Sequence, residues 1–307
     1  MVEAVLSPDV DALLNRLSCI RGPRRVQLLE GGLTNVNVRV TTADADVVVR
    51  ISREDSSILA IDREAEYANS RAAAESGASP RVVEYRPDDH LLVVEYVDGR
   101  TYAPEDLRDL ANLRRVAEVC RTLHGGPRFV SDFDMFDIQA GYLETVQSRG
   151  WRLPDRYLEF MPQVERMREA LRANPIPTVP CNNDLLAANF IDDGDRLWVI
   201  DFEYSGNNDP CFELGNVWSE STLPLGHLDE LVTAYYGRER PEMIARARLL
   251  GLMSKYGWML WASIQDANSD LDFDFWEWGM EKYRRAVDEF DGPDFDRLLT
   301  QAAAAPD

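Results

Sequence analysis

One stretch constrains this chain more than any other. Between positions 180 and 220, Asp184 is followed by Asn189, and after a short acidic turn (Asp192, Asp193, Gly194, Asp195) an apolar run, Leu197-Trp198-Val199-Ile200, ends on Asp201. Apolar runs separated by turn formers describe a loop, a strand, a reversing turn and a second strand, a β-ribbon bounded by carboxylates. A single Asp at a strand end is ordinarily a cap or a turn former. An Asp, an amide and a second Asp delivered by one ribbon suit phosphoryl transfer instead. One carboxylate positions an attacking hydroxyl, while the amide oxygen and the other carboxylate hold magnesium against the phosphates.

Composition limits what can surround this ribbon. A chain of 307 residues with 45% apolar content can bury the cores of two lobes. No apolar run approaches the roughly 20 residues of a membrane span, and the start Met1-Val2-Glu3-Ala4-Val5-Leu6 lacks the basic opening of a secretory leader, so a cytoplasmic protein is expected. The formal charge of −21 argues against nucleic acid or an anionic membrane as partner. It fits a cationic substrate, and equally salt adaptation or plain solubility. Lys255 and Lys282 are the only lysines, and there is no Gly-Lys-Ser/Thr of a P-loop, so any cation that clamps phosphate must be an arginine. The cysteines (Cys19, Cys120, Cys181, Cys211) and histidines (His90, His124, His227) are dispersed, which argues against zinc and for reduced thiols.

Along the chain, Ser7-Pro8-Asp9 opens a helix to about Ser18. Strands are expected over 25–30, 36–42 and 47–51, an antiparallel meander whose first bend is Gly31-Gly32-Leu33-Thr34-Asn35. A helix begins at Asp62-Arg63-Glu64, runs through Glu75 and closes at Gly77; strands over 81–85 and 91–97 complete a five-stranded sheet. Asp98-Gly99 marks the boundary to a helical part, with helices near 104–124, 137–149 and 155–174, the last ended by Pro175 and Pro177. His124 closes the first of these, in a capping or packing role. Beyond the ribbon, helices are expected over 215–221 and 241–264.

The blocks Asn183-Asp184-Leu185…Asn189-Phe190, Ile200-Asp201-Phe202-Glu203-Tyr204-Ser205 and Glu213-Leu214-Gly215-Asn216 resemble the choline/ethanolamine kinase family, within the aminoglycoside-phosphotransferase group. The resemblance spans about Leu28 to Arg285. It implies an α+β, bilobal protein-kinase-like fold: an N-terminal lobe over 1–98, with a five-stranded antiparallel sheet and a helix, and a larger helical lobe over 99–307 that carries the catalytic ribbon. ATP and Mg2+ are the implied cofactors. By the family pattern Asp184 is catalytic and orients the acceptor hydroxyl, while Asn189 and Asp201 bind the metal. Gly32, Thr34 and Asn35 form a lid on the phosphates, Arg50 clamps them and is oriented by Glu64, and the backbone from Glu95 to Val97 reads the adenine edge. For Glu64, a solvated carboxylate at a helix start remains an open alternative. Asn182 stands where the family usually has His, and an amide can still donate and accept hydrogen bonds.

Trp258 and Trp261 lie three residues apart on one helical face, ahead of Asp270-Leu271-Asp272-Phe273-Asp274-Phe275-Trp276-Glu277-Trp278. Carboxylates interleaved with rings do not suit a dry core. The pattern Trp258-x-x-Trp261…Gln265…Phe273 is similar to the choline kinase pocket wall. A quaternary ammonium donates no hydrogen bond, so aromatic faces and an anion must hold it. The resemblance assigns Trp258, Trp261 and Trp278 as the faces and Glu220 as the charge, with Phe273 as either wall or core. The reading is phosphorylation of choline or a related amino alcohol, and the family is compatible with a homodimer. Its rivals are a kinase for ethanolamine or an aminoglycoside, and a nucleotide- or cation-binding module weakened by Asn182.

Overall fold

Alternating valines build the first layer. The structure, a computed structural model, describes residues 8–29, 35–52 and 57–305. Ser7, Glu30 and the turn 31–34, with the site candidates Gly32 and Thr34, lie outside the described residues. α1 (Pro8–Leu14) precedes β1 (Arg25–Leu29), β2 (Asn35–Thr41) and β3 (Asp46–Ser52), followed by α2 (Arg63–Ser76), β4 (Val82–Arg86) and β5 (Leu91–Glu95). The strands form one antiparallel sheet in the order β1-β2-β3-β5-β4. Val38 pairs with Val49 and Val49 with Val93, so period-two alternation puts these side chains on one buried face, against Leu14, Leu17 and Ile20. α1 is shorter than expected. Past Leu14 the chain tightens into i→i+3 turns (Arg16 N–H to the Leu13 carbonyl, Leu17 N–H to that of Leu14), and Leu17 and Ile20 join the same core.

On α2, the Asp62 carboxylate caps the N–H groups of Glu64 and Ala65, and Gly77 ends the helix at φ +86°. Its buried face carries Glu66, Asn69, Ser70 and Ala73.

The rest of the chain is mostly helical. It comprises β6 (Arg100–Thr101), α3 (Leu110–His124), α4 (Met135–Arg149), α5 (Met161–Ala173), β7 (Val179–Cys181), β8 (Phe190–Asp192), β9 (Leu197–Val199), β10 (Gly206–Asn208), α6 (Pro210–Glu220), α7 (Leu225–Tyr236), α8 (Pro241–Asn268), α9 (Phe275–Phe290) and α10 (Phe295–Ala302). The helix expected over 104–124 is broken at Asp109, whose carboxylate caps α3 through the Ala111 N–H. The stretch rich in rings and carboxylates is the start of a helix, α9, capped by Asp274 through the Glu277 N–H.

β8 and β9 form the expected ribbon, and β6 adds to the outer side of β8. β7 pairs with β10 beside it. Underneath runs α8, buried along most of its length from Met243 to Gln265. α6 crosses α8 with the two backbones in contact: a Cβ added to Gly215 would lie 2.2 Å from the Ala247 carbonyl oxygen, and one on Gly251 2.7 Å from that of Gly215. Among the described residues the cysteines are all free thiols, and no helix is long and apolar enough to cross a membrane.

Arg115 on α3 grips the Asp192 carboxylate at the ribbon turn, with Nη2 2.7 Å from Oδ1 and Nη1 on Oδ2, and Arg115 also donates to the Tyr102 hydroxyl. The Arg115 hydrogen bonds hold the Asp192 carboxyl down at about 2. A carboxyl lowered on folding stabilises the folded state fully above its unfolded value near 3.8, and loses that contribution as pH falls through about 2. Asp192→Asn is therefore expected to reduce unfolding free energy at neutral pH by about 1–2 kcal/mol. In denaturant titrations the gap to wild type should close as pH falls from about 4 toward 2.

Candidate active site

The loop from Asn182 to Leu186 leaves β7 and is held almost entirely by side chains from elsewhere. The Glu213 carboxylate on α6 accepts the N–H groups of Asn182 (2.8 Å) and Asn183 (2.7 Å), one on each oxygen, and Asn216 Oδ1 accepts the Leu185 N–H at 2.7 Å. Glu213 and Asn216 lie three residues apart on one face of α6, so a single helix supports the loop at both ends. Asn183 has φ +69°, a conformation that Asn tolerates, and its amide donates to the carbonyls of Tyr204 and Gly206 while accepting from Asn208.

Asn182 ties the loop to the metal-side segment. Its Nδ2 donates to the carbonyls of Asp201 (2.7 Å) and Ile200 (3.2 Å), and its Oδ1 accepts the Asp184 N–H at 3.0 Å. Asp201 sits at φ +63°, and the bond to its carbonyl helps keep it in that sparsely populated region. Asn189 Nδ2 donates to the Asp184 carbonyl at 2.7 Å, which leaves Oδ1 as the amide's acceptor for a cation. Asp184, Asn189 and Asp201 are thus joined through two amide side chains at one end of the β8–β9 ribbon, where the Ile200 N–H also donates to the Asn189 carbonyl.

Arg50 reaches that place from β3. Its Nη1 lies 3.1 Å from Asp201 Oδ1, and its Nη2 pairs with Glu66. The partner expected for it, Glu64, is not the one used: Glu64 accepts instead from the Tyr85 hydroxyl at 3.2 Å on the outer side of α2. The reason is helical phase. Positions 66, 69, 70 and 73 share the buried face, and position 64 does not. Arg63 binds both Glu66 (2.8 Å) and Glu203 (2.6 Å), and Asn35 donates to Glu203 at 2.5 Å.

Three carboxylates, Glu66, Asp201 and Glu203, bring oxygens within 4.8 Å of one another, against two guanidinium groups. Burial, then the charge of Glu203, raises the Asp201 carboxyl to about 6. Against the same burial, Arg50 and Arg63 hold Glu203 below its ordinary value. Burial also raises the carboxyl of Asp184, with Glu220 and Asp201 adding to it. Unbalanced negative charge with hard oxygen donors is what a magnesium ion would neutralise, so the residues present fit one.

Between the sheet and the segment Ile200–Phe202 lies an apolar slot of about 140 Å³, with Val48, Leu92 and Val94 on the sheet side and Arg50 and Asp201 among its lining residues. A neighbouring cavity of about 340 Å³ shares Pro80 with it and is lined by Glu95, Tyr96 and Val97. The Glu95 N–H donates to the Arg81 carbonyl and the Tyr96 N–H to that of Asp46, so these two donors are already engaged.

Of the rings expected as a cage, Trp258 and Trp261 are packed in the core, 4% and 6% exposed. Trp258 and Trp261 both turn to Tyr204: Trp258 meets its ring edge-on at 4.9 Å, and Trp261 Nε1 donates to its hydroxyl at 2.8 Å. Trp261 also packs edge-on against Trp278, with centroids 5.5 Å apart. Phe273 is not core: it is 41% exposed and lies edge-on against Phe275, which in turn meets Trp261 edge-on at 5.8 Å. Glu220 already carries a resident cation on one of its oxygens. It is paired with Lys282, whose Nζ sits 4.2 Å from the centroid of Trp278.

Sequence reasoning passed over Glu66, Glu203, Glu213, Asn216 and Lys282 as site residues. The small-residue face of α2 could have revealed Glu66. Lys282 is one of two lysines in an otherwise Arg-only chain and lies one helical turn beyond Trp278. His124 is buried behind the loop, bonded to the Tyr235 hydroxyl at 2.7 Å and 3.6 Å from both Cys181 Sγ and Glu213 Oε1.

Residues 25–250 match the phosphotransferase enzyme family (APH). The chain is 32% identical to a choline/ethanolamine kinase family protein from Mesorhizobium loti whose crystal structure superposes with a TM-score of 0.83, covering 96% of this chain and 99% of that one. It is 26% identical to ethanolamine kinase 2 of Mus musculus over 286 residues, 78% of this chain and 68% of the relative. The fold is shared with choline kinase LicA from Streptococcus pneumoniae (21% identity, TM-score 0.75, 95% and 97% covered).

The partner of Arg50 can be tested directly. Glu66→Gln is expected to weaken binding of a fluorescent ATP analogue about tenfold, the effect of losing roughly 1.4 kcal/mol of orientation. Glu64→Gln should leave the titration unchanged.

Proposed function

The chain belongs to the phosphotransferase enzyme family, in its choline/ethanolamine kinase branch, and from that premise we propose that it transfers the γ-phosphoryl group of ATP to the hydroxyl of a small amino alcohol. The observation that carries this reading is the linkage of Asp184, Asn189 and Asp201 through the amides of Asn182 and Asn189, with Asp201 lining a slot that Arg50 also lines. Asp184 orients the acceptor hydroxyl and takes its proton late, because a loose transition state needs positioning more than a strong base. Asn189 Oδ1 and the Asp201 carboxylate would hold magnesium, which would neutralise the phosphate charge and that of the carboxylates around it. Arg50, oriented by Glu66, steadies the phosphates, and the apolar slot takes the base.

A cationic acceptor suits the charge near Asp184, where Asp184 and Glu220 outnumber Lys282. Choline and ethanolamine are the two acceptors of that class that the resemblance brings forward. The weakened-module reading finds no support in the geometry around Asn182, which makes the brace its position calls for with three hydrogen bonds.

Incubation with ATP, magnesium and a panel of amino alcohols, followed by phosphorus NMR, is expected to yield a phosphomonoester and ADP; ADP without a phosphorylated acceptor would sink the reading. Asp184→Ala should lower kcat by about 10²–10⁴-fold with the fold intact by circular dichroism. Asn182→His should raise turnover by no more than about twofold, since it replaces a brace already formed.

A further inference from the structure

Lys282 is 4% exposed, and its ammonium lies between the ring of Trp278 and the carboxylate of Glu220. Aromatic face plus carboxylate is the combination that would hold a ligand's quaternary ammonium, and here the chain supplies the cation itself. Only one oxygen of Glu220 is used this way. Glu220 Oε1 is buried with no hydrogen-bond partner, on a side chain 2% exposed. A carboxylate oxygen out of water demands a donor. Glu220 and Lys282 lie close enough to Asp184 for both charges to act on its carboxyl.

We propose that Lys282 sets the acceptor specificity of this enzyme: its ammonium fills the position of a trimethylammonium group, so the pocket takes a primary amine that donates to Glu220 Oε1 and turns choline away. The inference rests on the phosphotransfer reading above for its setting, but on the Lys282, Glu220 and Trp278 contacts for its content. A trimethylammonium group meets three obstacles here. The Trp278 face is taken, a resident positive charge repels it, and it has no N–H for the unpaired oxygen. A primary ammonium bears the same repulsion but brings three donors, and it needs no ring face.

The test is a methylation series. Wild-type kcat/KM should fall from ethanolamine through N-methyl- and N,N-dimethylethanolamine to choline, with at least a tenfold difference between the ends. Lys282→Met keeps most of the side-chain volume and removes the charge; it should raise the choline-to-ethanolamine ratio at least tenfold, while Lys282→Arg keeps the wild-type order. Choline as the best wild-type acceptor, or an unchanged ratio in Lys282→Met, would overturn the proposal. The wild-type series decides the matter if Lys282→Met fails to fold. Tetramethylammonium titration without ATP supplies a readout independent of catalysis: tryptophan fluorescence of the wild type should not respond at millimolar concentrations, and a saturable response would overturn the assignment of Lys282. Absence of phosphotransfer to every acceptor would instead sink the phosphotransfer reading, leaving that titration to judge Lys282.

Discussion

The whole active-site arrangement depends on one buried carboxylate. Glu213 receives two successive backbone N–H groups of the loop, so a segment with no regular structure has a fixed position relative to α6. α6 is in turn fixed on α8 by backbone contact at Gly215 and Gly251, which no side chain could share. The rigidity of the largest buried helix thereby reaches the catalytic loop through three residues of one motif: Glu213, Gly215 and Asn216. An anion that accepts charge-assisted bonds in a dry interior is strongly held, and equally costly to leave unmatched.

Around that anchor the charges are deliberately uneven. Arg50 and Arg63 face Glu66, Asp201 and Glu203, and the surplus negative charge falls on Asp201, the carboxylate nearest the cleft. The charges of Glu220 and Lys282 act together on the Asp184 carboxyl, and Glu220 is itself paired with Lys282. Each half of the site is thus one positive charge short. An excess of carboxylate over cation suits a bound metal on one side and, on our proposal, a protonated amine on the other.

Much of this was legible along the chain because the chemistry is local. Asp184, Asn189 and Asp201 flank one ribbon within 18 residues of sequence, and alternation, turn residues and an apolar run announce a ribbon. The first-lobe strands were equally plain, since valines at every second position say which face is buried. Glu64 was mistaken for Glu66 because both are carboxylates in the same first turn, and only the packing of α2 says which one faces Arg50. The start of α9 was hidden because rings and carboxylates crowd together there, and Asp274 becomes a helix cap only once the neighbouring turn has formed.

The sequence by itself carried the resemblance to a phosphotransferase, through an acid, an amide and an acid at ribbon spacing, and left arginine as almost the only basic side chain available, through an almost lysine-free composition. Tertiary structure alone decided which carboxylate orients Arg50, which side chains hold the loop, and that Lys282 lies against Trp278 and Glu220. Those pairings between elements join residues up to 62 positions apart, and an ion pair depends on where two elements meet in space, which local periodicity does not encode.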